Sequence, residues 1–243
     1  MDLRRFQRTD EVTAEQARRM RQGYNALVTH VDRLFGRLLG AWEELRLRET
    51  TVLAYTSDHG EMLGKFGLWF KSSLYEDAVR VPLLGAGPRF KPGRRVRTPV
   101  SLRDLQAAVF EAVGAHRPSD WVGEPLQHLP DYDAERAVFA EYHSSGVHSG
   151  AFMIRKGPWK LIYSMAAPHQ LHNLHEDPEE RVTMWSRESE VAGELERELR
   201  KTCNPEEVNA RAQAVEARQL AEIDDILNDP QGERRTVWQG VSM

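Results

Sequence analysis

Thr51-Val52-Leu53-Ala54-Tyr55-Thr56-Ser57-Asp58-His59-Gly60 is the stretch on which the fold and the chemistry of this chain turn. Its first six residues form a short β-type run. A carboxylate and an imidazole follow directly, at the carboxyl end of the strand, where open α/β sheets place their ligands. Asp58 offers a hard anionic oxygen suited to Ca²⁺, Mg²⁺ or Mn²⁺, and His59 a borderline nitrogen more at home on Mn²⁺, Fe or Zn²⁺. Two ligands saturate none of these ions, so any metal site draws its remaining ligands from elsewhere. An Asp-x-Gly turn with an incidental histidine has the same three letters, and the tripeptide alone does not separate the two readings.

Upstream, Thr13-Ala14-Glu15-Gln16 reads as a capping box opening a helix that reaches Trp42 and ends over 46–49. Met20, Tyr24, Leu27, Val28, Val31, Leu34, Phe35, Leu38 and Trp42 recur at spacings of three and four, an apolar stripe expected to bury against a sheet. A helix followed by a buried strand is half of an α/β layer. Downstream, 57–79 is a long connection with Gly60, Gly64 and Gly67, of the kind that carries function in compact domains. Residues 79–84 read as a further strand, with Pro82 placing it at an edge or bulge. Ser101 to Asp104 starts a second capped helix ending at Gly114. Beyond 116 the pattern changes to a small antiparallel sheet. Residues 137–142 are strand-like, 151–155 and 159–163 form a hairpin around Lys156-Gly157-Pro158, and 170–174 add a short strand. Residues 188–202 and 205–226 read as helices. The expected organisation is a flexible N-terminus over 1–12, an α/β portion over 13–130, a small α+β subdomain over 131–227 and a loose tail over 228–243.

With 40% hydrophobic and 29% charged residues, the 243-residue chain fits a globular protein rather than a disordered one. A net charge of −4 gives no basic field for nucleic acid. No apolar run approaches the ~20 residues of a membrane span. The opening residues, Met1 to Phe6, do not continue into an apolar signal segment. The single cysteine, Cys203, excludes an internal disulfide and a multi-cysteine zinc site. Compartment stays unknown on these grounds, leaning toward the cytoplasm, since an upstream segment could carry a leader.

Tyr55 to Gly64 closely resembles the second metal motif of sulfatases, members of the alkaline-phosphatase-like superfamily, as does its continuation through Gly67-Leu68-Trp69-Phe70-Lys71 and Leu74-Tyr75-Glu76 to Val79-Arg80-Val81-Pro82. Tyr24 to Asp32 resembles the helix before that motif, and Pro99 to Leu105 the helix start after it. Glu141-Tyr142-His143, Met153 to Gly157, Trp159 to Tyr163 and Gln170-Leu171-His172-Asn173-Leu174 through Asp177-Pro178-Glu179-Glu180 resemble the family's C-terminal subdomain in the family's order. The resemblance covers about residues 14–225 and leans toward choline-sulfatase and phosphonate-monoester-hydrolase types. It implies a partial alkaline-phosphatase-like parallel sheet with flanking helices, plus a small C-terminal antiparallel sheet and helices. It implies a divalent cation, Ca²⁺ first, with Mn²⁺ or Mg²⁺ as alternatives. Asp58 is then a metal ligand, His59 a ligand or catalytic group beside it, and Lys71 the amine that reaches the bound sulfate. His143, His148 and Arg80 are candidates for substrate contact. A cation and an ammonium fixed in a dry crevice stabilise charge on the non-bridging oxygens of a sulfate-ester small molecule or sugar. His169, His172 and His175, spaced for zinc, lie in extended chain, and the basic run from Arg89 to Arg103 reads as a solvated loop.

The family's nucleophile is a cysteine in Cys-x-Pro-Ser-Arg, or a serine there. Cys203-Asn204-Pro205-Glu206-Glu207 lacks the serine and arginine and lies between two helices near the C-terminus, so Cys203 reads as structural. The family's N-terminal Asp-Asp pair is missing as well. The expectation is a C-terminal sulfatase half whose partner chain or missing segment carries the nucleophile, leaving an open sheet edge beside 51–56 and a partly uncovered helix. Two alternatives stand: a phosphonate or phosphodiester hydrolase of the same superfamily, and a non-catalytic remnant that binds metal or anion.

Overall fold

A computed structural model describes residues 11–143 and 147–227. Of the flexible ends expected over 1–12 and 228–243, all but residues 11 and 12 lie outside these residues. Helix α1, Ala14–Glu44, opens on the expected capping box: Thr13 Oγ1 accepts from Gln16 N at 3.2 Å, and Gln16 Oε1 accepts from Thr13 N at 2.8 Å. Its apolar stripe is mostly uncovered. Tyr24, Leu27, Val28, Val31, Leu34 and Leu38 are exposed, and Trp42 alone in this helix is buried. Phe35 touches the first strand, its ring centroid 4.6 Å from that of Tyr55.

That strand, β1 at Leu53–Thr56, pairs with β2 at Leu83–Ala86, with Leu53 opposite Ala86 and Thr56 opposite Leu83. The pairing is antiparallel, and among the described residues no parallel pairing occurs, which corrects the expected parallel sheet. A parallel neighbour needs a crossover of a dozen or more residues that ends in a strand running the same way. The connection from 57 to 82 is long enough but holds only a 3-10 turn at Lys65–Gly67 and one α-helical turn, α2 at Glu76–Val79, and delivers β2 in the reverse sense. The strand expected over 79–84 is accordingly displaced. Its first residue closes α2, and pairing begins only after Pro82, which has no N–H to donate. Helix α3, Leu102–Val113, carries the Ser101/Asp104 capping box and ends on Gly114 at φ +67°.

The C-terminal sheet is an antiparallel meander of β3 (Ala137–Tyr142), β4 (Ala151–Lys156), β5 (Trp159–Ser164) and β6 (Gln170–Asn173). The two-residue loop Gly157-Pro158 joins β4 to β5, with Gly157 at φ +54°. Alternation divides the sheet into two buried faces. Phe152, Ile154, Leu161, Tyr163 and Leu171 pack on Ala192, Leu195 and Leu199 of helix α4, Ser189–Thr202. The opposite face, with Met153 and Ile162, packs on Leu74, Tyr75 and Val79 of the long connection. Helix α5, Pro205–Leu227, follows. The sheet is thus the floor against which the Asp-His-Gly connection is set.

Candidate functional site

Gly60 fixes the start of the site. Its N–H donates to Ala78 O at 2.8 Å, and a Cβ on Gly60 would stand 2.0 Å from Asp77 O, so only glycine lets the chain lie against α2. Just before it, Ser57 Oγ donates to His59 O at 2.9 Å, and His59 N donates to Asp58 Oδ1 at 3.0 Å. That backbone hydrogen bond is the main reason the Asp58 carboxyl is held below the usual aspartate range, and the neighbouring His59 adds to it. The His59 Nδ1 lies 2.8 Å from Gly60 O. A carbonyl only accepts, so in the neutral imidazole Nδ1 carries the proton and Nε2 keeps its lone pair. Nε2 stands 3.6 Å from Asp58 Oδ2, and the Asp58 side chain is 83% exposed. A carboxylate and an imidazole nitrogen oriented by a backbone carbonyl are a fitting half of a ligand set for one divalent cation. Among the described residues no set of three Asp, Glu, His or Cys completes it.

Residues 61–71 fold back on themselves. Glu61 Oε1 accepts from Phe70 N at 2.5 Å and Leu63 N at 3.3 Å, Met62 N donates to Phe70 O at 2.9 Å, and Gly64 N to Leu68 O at 2.8 Å. Met62 and Trp69 are buried beneath. Leu63, Phe66 and Phe70 hold positive φ of 49°, 54° and 63°, a concentration of backbone strain typical of functional loops. This return brings the backbone of Phe70, the residue before Lys71, against Glu61 and Met62, just past the Asp-His-Gly end. The Lys71 side chain is exposed and, among the described residues, makes no ion pair.

The loop is bolted to the sheet by a buried charge cluster that the sequence reading missed. Lys160 Nζ on β5, wholly buried, lies 3.0 Å from Glu76 Oε1 and 2.8 Å from Glu180 Oε1. Glu76 N donates to Glu180 Oε2 at 2.6 Å, and Arg155 Nη1 lies 3.3 Å from Glu76 Oε2. The neighbouring acids repeat the pattern, with Lys65 Nζ 2.5 Å from Asp77 Oδ2 and 3.3 Å from Glu179 Oε2. The acid pairs Glu76-Asp77 and Glu179-Glu180, with a lysine inside an apolar strand, were the available signal.

The remaining candidates separate. His148 lines a cavity of about 480 Å³ between residues 68–75 and the sheet. Asp58, His59 and Lys71 do not line it, although Ser72, the residue after Lys71, does. His143 packs edge-on against Phe152 with centroids 5.0 Å apart, and its Nε2 is 3.4 Å from Glu141 Oε2. Arg80 caps α2 through its backbone and projects an exposed side chain. Cys203 closes α4, half-buried on the core, and burial pushes its thiol up, away from a nucleophilic thiolate.

Comparison with known families and structures matches residues 3–115 to the sulfatase family model and residues 64–205 to the model described as N-sulphoglucosamine sulphohydrolase, C-terminal. Choline-sulfatase of Rhizobium meliloti (strain 1021) is 33% identical over 178 residues, 72% of this chain and 35% of that protein. The protein BT4656, solved in complex with its substrate D-glucosamine-2-N,6-O-disulfate, superposes with a TM-score of 0.70 at 24% identity, over 82% of this chain and 44% of that one. The phosphonate monoester hydrolase SpPMH of Silicibacter pomeroyi superposes with a TM-score of 0.66 at 26% identity, over 79% of this chain and 42% of that one. The chain therefore spans well under half the length of these relatives.

Proposed function

Because this chain belongs to the sulfatase family, we propose that it is the portion of a metal-dependent sulfuric ester hydrolase that supplies part of the cation site and the amine facing the sulfuryl group. The observation that carries this reading is the Asp58–His59 pair: an ionised carboxylate and an imidazole lone pair 3.6 Å apart, each oriented by backbone hydrogen bonds. Asp58 and His59 would hold the cation, Ca²⁺ first and Mn²⁺ or Mg²⁺ as alternatives, and when bound it would supply positive charge for the non-bridging oxygens. Lys71 places an ammonium beside the same oxygens or the leaving oxygen. Gly60 and the 61–71 return hold the backbone that follows the pair.

The nucleophile belongs to residues outside these 243, on a partner chain or a longer form of the protein. Two features support such a partner: among the described residues, the stripe of α1 is uncovered and β1 is paired on one edge only, with β2. The substrate is a sulfate ester of a small alcohol or sugar. Phosphonate monoester hydrolysis is a second reading, favoured by the likeness to SpPMH.

Turnover of p-nitrophenyl sulfate and of an aryl phosphonate monoester tests the proposal. The purified chain alone is expected to turn over neither. Adding a sulfatase N-terminal half that carries Cys-x-Pro-Ser-Arg is expected to restore sulfate hydrolysis, which Asp58→Ala removes. Hydrolysis by the chain alone, abolished by Asp58→Ala, would place the nucleophile within it and refute this division of labour.

A further inference from the structure

The cavity between the motif loop and the C-terminal sheet is not explained by the cation site. Its volume, about 480 Å³, lies within the roughly 300–1,000 Å³ typical of small-molecule sites. One wall comes from Leu68 and residues 72–75, so Lys71 lies in the chain between lining residues, Leu68 and Ser72. Ser73 N donates to Lys71 O at 2.7 Å, a tight turn that keeps that wall attached to the lysine. The other wall is the sheet face carrying Tyr142, Ala151 and Ile162.

The lining has a distinctive chemistry. Hydroxyls come from Ser72, Ser73, Ser149, Ser164, Tyr75 and Tyr142, an amide from Gln170 and an imidazole from His148. Among the described residues, no Asp, Glu, Lys or Arg lines it. Tyr75 is fixed against Phe66, with centroids 4.8 Å apart, and both tyrosines pack on the Met153/Ile162 face. Aromatic faces beside scattered hydroxyl and amide groups suit a neutral, polyhydroxylated ring, whose carbons stack while its hydroxyls exchange hydrogen bonds. A quaternary ammonium could lean on the tyrosines, but here it would lose water with no carboxylate to compensate it. A trimethylammonium group would also leave most of the volume empty.

We propose that this cavity receives the alcohol portion of the ester and selects a neutral sugar ring over a cationic choline-like group. The inference rests on the sulfatase reading for its placement, since that reading puts the sulfuryl group at Lys71, one residue from the cavity wall. It departs from the choline-sulfatase likeness, because the described residues lining this cavity carry no counter-charge for choline.

Saturation-transfer NMR on the full chain separates the two claims. The NMR probes are N-acetyl-D-glucosamine and choline chloride, and titration calorimetry follows the binding of sodium sulfate with and without calcium chloride. N-acetyl-D-glucosamine is expected to give a saturable signal, at least tenfold weaker in Ala167→Trp, whose indole fills the cavity from its exposed rim, and unchanged in Asp58→Ala. Ala166→Leu, a smaller filling on the same rim, should weaken it as well, and circular dichroism checks that both variants fold. Choline binding with the sugar silent, sugar binding that survives both filling variants, or no binding of either overturns the proposal. Loss of the calcium-dependent sulfate response alone would count against the Asp58–Lys71 reading and leave the sugar cavity standing.

Discussion

Replacing Lys160 with methionine should be among the most damaging single changes in this chain. The ammonium is shared at 3.0 and 2.8 Å between Glu76 and Glu180, whose side chains are 11% and 0% exposed. Methionine keeps most of the stem's packing, so the loss is electrostatic: two carboxylates stay together, held by the 2.6 Å Glu76 N to Glu180 Oε2 bond, without their cation. Breaking a buried pair costs about 3–5 kcal/mol. Arg155, 3.3 Å from Glu76, offsets part of this and places the expectation near ~3 kcal/mol. Native stability is typically about 5–15 kcal/mol, so the variant loses a fifth or more of it. With a urea slope of about 2 kcal/mol per molar, the midpoint should fall by about 1.5 M, read by circular dichroism at equilibrium. Adding Glu76→Gln and Glu180→Gln to Lys160→Met removes the uncompensated charge and should recover more than half of the loss. A midpoint shift under about 0.3 M, or a triple variant worse than the single one, would refute the reasoning.

Three further outcomes are expected. Gly60→Ala forces a Cβ to within 2.0 Å of Asp77 O, a backbone atom, and should cost at least the roughly 1–3 kcal/mol of an overpacked site while weakening any cation binding at Asp58; denaturation and calcium titration read the two effects. Glu206, held down to about 2 chiefly by the Arg200 guanidinium, contributes stability that is whole above its ordinary 4.5 and is lost as pH falls through about 2. Because that pair is half exposed, the contribution is below about 1 kcal/mol, and the stability gap between wild type and Glu206→Gln should close between pH 4.5 and 2. The α1 stripe should drive self-association, visible by light scattering and reduced in Leu27→Glu/Leu34→Glu, with no loss of helicity because both side chains are exposed.

Local rules made much of this fold legible. Thr13 and Ser101 announce their helices by capping boxes, Gly157-Pro158 announces the β4–β5 hairpin, and the strands at 137–142 and 159–163 follow from strand-like runs bounded by turn residues. The orientation of β1 was not legible, because the pattern of a four-residue strand is the same whether its neighbour runs parallel or antiparallel. The α1 stripe predicted a covering layer, and periodicity cannot say which residues supply that cover. At the site, Asp58 and His59 stood out through their position after a strand. The Lys160 cluster did not, because a lysine inside an apolar strand reads as solvent-facing until acids 84 and 20 residues away close on it. Burial of this kind is set by tertiary pairing, which no local pattern encodes.

Calcium binding to the purified chain, followed by titration calorimetry with and without sulfate, tests the central claim most directly. Saturable binding that strengthens with sulfate is expected, with Asp58→Ala removing the calcium response and Lys71→Ala removing only the sulfate enhancement. Calcium binding unchanged by Asp58→Ala, or a sulfate effect indifferent to Lys71, would contradict the account.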